Sequence, residues 1–294
     1  GGVRSNPPSG TVVQPEDRIV LIAEDDSTVS YRKCRREKKS LKPANRRSRK
    51  PSPERHLLLG WNNRTESIIR EYGGYLCPGS QIDVVVPRPP QAVKSAFRQL
   101  SGRLGKIQVR LVEKDYRLRH ALEQIKPFFY DNIVILASDY REKLSMEEVD
   151  SQTIYVLLLL RDMQQKSGGT GHQAKLITEL LNPSNQDLIQ IAKVNDFVIS
   201  DQMVSMMFAQ VSEQKLMYEV YDDLFSAEGS EIYLKPASLY FANFPLETDF
   251  FEIQDTVLQR DEIAFGYRIH KWNDRADLNF GIRLNPDREK RILL

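Results

Sequence analysis

Much that would define a function quickly is missing from this chain. It has two cysteines, Cys34 and Cys77, in 294 residues, too few for a disulfide framework or a cysteine-rich zinc site. That usage fits a reducing compartment. The longest apolar run, Ile154 to Leu160, ends at Arg161-Asp162 and falls far short of the roughly 20 residues a membrane-spanning helix needs. Residues 1–14 are polar and rich in Gly, Pro and Ser, and do not read as a signal peptide. Charge of one sign is lacking too. A formal net charge of +2 argues against global electrostatic capture of nucleic acid. Catalytic signatures are likewise absent. There is no Gly-x-Ser-x-Gly elbow, no phosphate-binding Walker loop and no His-Glu-x-x-His, and His56, His120, His172 and His270 have no motif around them. Cys77, before Pro78, reads as a small packed residue rather than a reactive thiol.

What is present is an ordinary globular composition, 40% hydrophobic and 28% charged, with a strong pattern between residues 55 and 86. Leu57-Leu58-Leu59 form an apolar run ending at Gly60. Ile68, Ile69, Tyr72 and Tyr75 then recur near helical spacing, Gly73-Gly74 read as the stop, and Ile82 to Val86 form a second apolar run. Strand, turn, helix, strand is the opening of a doubly wound α/β domain. Further strands are expected at Ile107–Val112, Asn132–Ala137, Lys175–Leu181 and Phe197–Ile199. Helices are expected at Arg117–Ile125, with Leu118, Leu122 and Ile125 on one face, and at Met146–Gln165, whose run Ile154–Leu160 predicts deep burial. Ser167 to Gly171 reads as a loop. Strands alternating with helices predict a parallel, Rossmann-like sheet covered on both faces, followed by a smaller α+β lobe.

In such a sheet ligands sit past the end of the first strand. A dinucleotide fold carries glycines there, so that a pyrophosphate can approach the backbone. Here the turn is Gly60-Trp61-Asn62-Asn63-Arg64-Thr65, and Trp61 and Arg64 would crowd that group. The acid that holds a ribose after the second strand is replaced by Val86-Pro87-Arg88. NAD binding is therefore not expected, and Trp61 reads as a plug at the sheet's end. A phosphate held by Asn62, Asn63 and the helix amides is the remaining nucleotide route.

Four segments are predicted. Residues 1–31 hold a tail and a terminal strand at Arg18–Ala23. Residues 32–54 form a flexible basic linker, with Arg and Lys opposed only by Glu37 and Glu54 and with Pro43, Pro51 and Pro53 breaking any helix. A nucleic-acid or anionic-lipid patch is its sharper reading. No aromatic residues interleave the basic run to stack bases, so the solvated linker is preferred. Residues 55–200 are the Rossmann-like lobe. Residues 201–294 are a helical and α+β lobe. There, Val204, Met207, Phe208 and Val211, then Tyr218, Tyr221, Leu224 and Phe225, recur at helical spacing. A segment at Ile232–Leu234, a helix near Ile253–Leu258 and a strand at Glu262–Ile269 follow. The apolar helical faces predict assembly with a partner.

Gly60-Trp61 followed by polar residues, the Cys77-Pro78-Gly79-Ser80 turn, Ile22-Ala23-Glu24-Asp25-Asp26, Leu157 to Asp162 and Leu224 to Glu231 occur in an order that resembles the CASTOR/POLLUX ion channels. The similarity runs over most of residues 16–270. It implies a cytosol-facing regulatory portion, of the kind that regulates potassium conductance (RCK), with the pore upstream. It also implies a tetrameric gating ring, contact with another regulatory domain of the same channel, and a response to Ca²⁺. The strand at Arg18–Ala23 would then end a preceding regulatory domain. Ca²⁺ takes six to eight hard oxygen ligands. The first candidates are Glu24, Asp25 and Asp26, then Asp222 and Asp223 with Glu228 and Glu231, and Asp139 with Glu142. An acidic group of this kind is more often solvated surface, and only for Glu24, Asp25 and Asp26 does the resemblance bring the two readings level. The alternative from another class is a Rossmann-type nucleotide-dependent oxidoreductase or nucleotide-binding module. Trp61, Arg64 and the missing ribose acid count against it. No catalytic residue and no nucleic-acid partner are expected.

Overall fold

The computed structural model describes residues 3–8, 10–23, 44, 52–138, 144–166, 174–185, 197–273 and 275–293. Two compact units are present, residues 51–217 and residues 1–50 together with 218–294.

The first unit is built on six parallel strands, β1 (Arg55–Leu59), β2 (Gln81–Val85), β3 (Gln108–Val112), β4 (Asn132–Ile135), β5 (Lys175–Leu180) and β6 (Phe197–Ile199), in the order β3-β2-β1-β4-β5-β6. This is the doubly wound dinucleotide-fold order, and it puts the switch point between β1 and β4. The connecting helices are α1 (Thr65–Tyr75), α2 (Gln91–Ser101), α3 (Arg119–Ile125) and α4 (Met146–Lys166). β1 is paired on both sides, His56 to Leu59 lying opposite Ile82 to Val85 and Asn132 to Ile135. Alternate residues therefore feed two cores. Leu57, Leu59, Ile133 and Ile135 pack with α3 and α4 residues such as Leu122, Leu157 and Leu160. Leu58, Ile82, Val84 and Val134 pack with Ile69, Val93 and Phe97 of α1 and α2. Two faces of buried apolar side chains are the reason the strands read as nearly continuous hydrophobic runs.

Several elements differ from the expectation. Gly73 and Gly74 lie inside the last turn of α1 and do not end it, because Leu76 N–H still reaches Tyr72 O at 2.9 Å. Leu118 precedes α3 and is exposed, so it does not share a buried face with Leu122. The run Ile154–Leu160 is buried on one side only. Val156, Leu157 and Leu160 are inside, whereas Tyr155 and Leu158 are exposed, since a helix beside a sheet covers one stripe. Arg18–Ala23 is not a strand: Ile19 to Ile22 are exposed and lack ladder partners among the described residues, and a strand exists only when paired. The Ser167–Gly171 loop lies outside the described residues.

After β6 the chain turns directly into α5 (Ser200–Glu213), which has no buried residue. The compact units divide at 217/218, after this helix, whereas the pattern change in the sequence falls at 200/201.

The second unit holds α6 (Met217–Phe225), whose first residue is at the division, and α7 (Phe250–Leu258). It also has two small antiparallel ladders, β7 (Glu247–Thr248) with β10 (Ile292–Leu293) and β8 (Gly266–Arg268) with β9 (Ile282–Leu284). Asp249 and Glu252 start α7 as a capping pair, Asp249 Oδ1 accepting from Glu252 N at 3.0 Å. Tyr240, Phe241, Phe250, Ile253, Val257 and Ile292 form the lobe's core. The strand expected at Glu262–Ile269 shortens to Gly266–Arg268, and Ile232–Leu234 is exposed without regular structure. Among the described residues no helix is long and apolar enough to cross a membrane.

Candidate functional site: a switch point closed by its own side chains

Gly60 ends β1 with φ +106°, a conformation that favours glycine. A side chain there would also meet Leu136 O at 3.0 Å and Ser138 Cβ and Tyr116 Oη at 3.1 Å. The tight passage carries the chain from the central strand into the turn. Trp61 follows and is buried among Ile69, Val84, Val93 and Leu136. Its N–H donates to Ser138 Oγ at 3.1 Å, and the Ser138 hydroxyl donates to Trp61 O at 2.9 Å. The two strand ends beside the switch point are thus stitched together.

Asn62 occupies the position a pyrophosphate would approach. It is buried, and its amide spans the site. Nδ2 donates to Ala137 O at 2.9 Å and to Glu179 Oε2 at 2.8 Å. Oδ1 accepts from Arg64 N at 3.0 Å and from the Thr65 hydroxyl at 3.2 Å. Asn62 N–H donates to Thr65 Oγ1 at 2.8 Å, and Thr65 N–H to Asn62 O at 3.3 Å. Two of the amides at the entrance of α1, which serve phosphates in nucleotide folds, are therefore bonded to Asn62.

Glu179, near the end of β5, is the buried anion of the site. Its Oε2 also accepts from Ala137 N at 3.0 Å, and Arg64 Nη2 lies 2.8 Å from Oε1. Arg64 Nη1 stands 3.5 Å from Asp201 Oδ1 on α5. A buried carboxylate is tolerable only when paired and hydrogen-bonded, and Glu179 meets both conditions. A crevice beside it, lined by Tyr116, Arg117, Leu136, Ser138, Gln152 and Thr153, has room for about one water molecule. At the end of β2, Val86 is buried and Pro87-Arg88 follows, so the position where a dinucleotide fold carries its ribose-binding acid is not acidic.

The sequence reading found Gly60, Trp61, Asn62 and Arg64, but missed Glu179 and Ser138. The available signal for Glu179 was a lone acid inside the apolar strand Leu176–Leu180. Of the acids considered for Ca²⁺, Glu24, Asp25, Asp26, Asp139 and Glu142 lie outside the described residues. Asp222 and Asp223 are on α6, Asp223 Oδ2 accepting from Ser5 N at 3.1 Å. Glu231 accepts from the Tyr233 hydroxyl. Among the described residues, no three His, Cys, Asp or Glu side chains come together in a group that could hold a metal ion.

A second buried carboxylate lies in the middle of β2. Asp83 accepts from Arg110 Nε and Nη2 at 2.8 and 2.7 Å, from the Tyr130 hydroxyl at 2.6 Å and from Gln81 Nε2 at 2.8 Å. Burial pushes its carboxyl upward, but the bonds from Arg110, Tyr130 and Gln81 outweigh burial and hold it below the ordinary carboxylate range. Burial, with the Asp83 bond, pushes the Tyr130 phenol up to about 12. These groups are architectural: they join β2, β3 and the end of α3's loop, away from the crevice.

No protein-family model matches the sequence. Curated relatives do. A probable ion channel CASTOR of Oryza sativa subsp. japonica is 31% identical over 297 residues, covering 92% of this chain and 33% of the relative. Ion channel CASTOR of Lotus japonicus is 30% identical over 313 residues, covering 95% and 35%. A probable ion channel POLLUX of Oryza sativa subsp. japonica is 29% identical over 309 residues, covering 95% and 31%. Among solved structures, GsuK bound to ADP overlaps 50% of this chain and 31% of its own, with TM-score 0.33 and 16% identity. An NADH-dependent reductase complexed with NAD overlaps 46% and 62%, with TM-score 0.32 and 13% identity. Those overlaps are too partial to bear on function. The chain spans about a third of the length of the curated relatives it matches, and over that span it belongs to the CASTOR/POLLUX ion-channel family.

Proposed function

We propose that this chain is a regulatory portion of a CASTOR/POLLUX-type cation channel. It would assemble with like domains into a gating ring and couple ligand occupancy, with Ca²⁺ the first choice, to pore opening. The observation that carries this reading is the closed switch point. The lobe keeps the dinucleotide scaffold, but Trp61, Asn62, Arg64 and Glu179 fill the place where a cofactor would lie. The sheet then serves as a rigid body for transmitting shifts. A redox role would need that crevice open, which disfavours the oxidoreductase alternative.

Assembly is supported by α5, an apolar helix with nothing buried. A ligand shifts such an assembly only by binding one arrangement more tightly than another. Glu24, Asp25 and Asp26 remain the preferred Ca²⁺ ligands. Three adjacent acids cannot all point one way, so at most two serve one ion, and backbone carbonyls or another domain complete the shell. Calcium titration of the wild type beside an Asp25→Asn, Asp26→Asn double variant, with solution mass measured throughout, tests the proposal. The expected result is binding in the wild type, accompanied by a change in mass, and loss of both in the variant. Equal binding in both proteins removes these ligands. No binding in either removes Ca²⁺ regulation through this chain.

A further inference from the structure

Charge in the first unit is laid out unevenly. Residues 84–112, from the end of β2 through α2 and β3, hold six Lys and Arg and no Asp or Glu, in a chain whose formal net charge is +2. Lys94 Nζ meets Glu113 Oε2 at 3.3 Å, just beyond β3. The face of α2 that bears Lys94 is therefore turned toward β3, and Arg98, one turn further on, shares that face. Arg98 and Lys106 are exposed and have no acidic partner among the described residues. Val109 and Leu111 pack toward α2, so alternation along the strand puts Arg110 on the other face. Its side chain is still 56% exposed although it holds Asp83. Cations thus flank β3 on both faces.

The same strand is an edge of the six-stranded sheet. Gln108 N–H donates to Ser80 O at 2.9 Å, and Val112 O accepts from Val86 N at 3.0 Å. In a parallel ladder this turns the backbone groups of Gln108, Arg110 and Val112 toward β2 and those of Val109 and Leu111 outward. The outward N–H and C=O groups have no partner among the described residues. Such a row is a template for a further strand, and the flanking cations select which one, repelling a basic segment and attracting an acidic one. Nucleic acid is disfavoured, because Phe97 is the one aromatic residue of the stretch and is buried, leaving no stacking surface. A lipid surface would use the cations but not the unpaired backbone row.

We propose that β3 is a docking edge for an extended acidic segment of a partner protein. The segment pairs with Val109 and Leu111 as a seventh strand and sets its carboxylates against Arg98 and Lys106. Main-chain bonds supply the affinity, and charge supplies the choice of partner. The edge lies wholly within the first unit and does not depend on the channel reading.

The test uses the full chain with a synthetic octapeptide of Glu-Val repeats, and a Lys-Val octapeptide beside it. Calorimetry should show binding of the acidic peptide alone. Amide exchange at Val109 and Leu111 should slow about tenfold at ten times the dissociation constant, while Arg110, already bonded to β2, is unchanged. An Arg98→Glu, Lys106→Glu double variant changes two exposed positions. It should keep its melting temperature and bind the acidic peptide about tenfold or more weakly, through the reversed charges. Failure of the wild type to bind the acidic peptide overturns the proposal. So does binding without slowed exchange at Val109 and Leu111, or equal affinity in the variant. Tighter binding of phosphatidylserine vesicles or of single-stranded DNA than of the peptide, lost in the variant, assigns the cations to another class of partner and overturns it as well.

Discussion

Arg64 Nη2 and Glu179 Oε1 meet at 2.8 Å across the carboxyl ends of β1 and β5, and this contact closes the crevice that the sheet order creates. Glu179 is the hub, because Asn62 and the Ala137 amide converge on its other oxygen. Glu179→Ala leaves two buried donors without an acceptor, at about 1–3 kcal/mol each for an unmet group. A drop in melting temperature of several degrees is expected, with Glu179→Gln losing less because it keeps one acceptor. Thermal unfolding of the three proteins checks this, and equal melting temperatures would show the network to be ornamental.

The same closure predicts that NAD(H) does not bind. A dinucleotide would have to displace Trp61 from its core and break Asn62 away from Glu179. Calorimetry with NADH should show no heat of binding. A micromolar dissociation constant, about −8 kcal/mol, would falsify the account of the turn.

How far the residues announced this site follows from what each side chain reports. The central strands β1, β2 and β4 were legible because their runs are buried on both faces, and the crowded turn was legible because Trp61 and Arg64 stand where glycines would. Glu179 was not, since its partners Asn62 and Arg64 are more than a hundred positions away and only the β1–β4–β5 neighbourhood brings them together. Arg18–Ala23 failed for the opposite reason. Its composition suits a strand, but pairing is a property of two segments, and no described segment lies beside it. In α4 the run Ile154–Leu160 overstated burial, because seven consecutive apolar residues go right round a helix that has only one covered side.

Stability should fall with acid in two stages. His56 is buried on β1, and burial lowers its pKa against the opposing effects of Glu54 and Asp131. Its unfolded form takes up a proton near the ordinary histidine value of about 6.5, before the folded form does. Unfolding is therefore favoured progressively as the pH falls below that value. Asp83 acts lower: its folded pKa is depressed, so its contribution is complete above the unfolded value of about 3.9 and is lost as the pH falls through the folded one. Urea unfolding from pH 8 to 3 should show both declines. His56→Gln should flatten the upper one and Asp83→Asn the lower. Two unchanged profiles would mean that neither group titrates differently on folding.

The last prediction concerns α5. Met203, Val204 and Met206 are exposed and Phe208 is 68% exposed, while Met207 and Val211 are only half-buried. Charge is sparse on the helix, Asp201 near its start and Glu213 at its end. A helix with so much uncovered apolar surface is stabilised by covering it, and each large side chain fully buried contributes about 1.5–3 kcal/mol. A charge in the middle of that surface costs the contact without touching the core, since α5 contributes no buried residue to its own unit. Phe208→Asp should therefore shift the protein to a smaller species in sedimentation or light scattering and leave the melting temperature of the separated chain nearly unchanged. A mass equal to the wild type's, with folding intact, would mean that α5 is not the surface by which copies meet. A collapse of folding would mean that Phe208 belongs to a core.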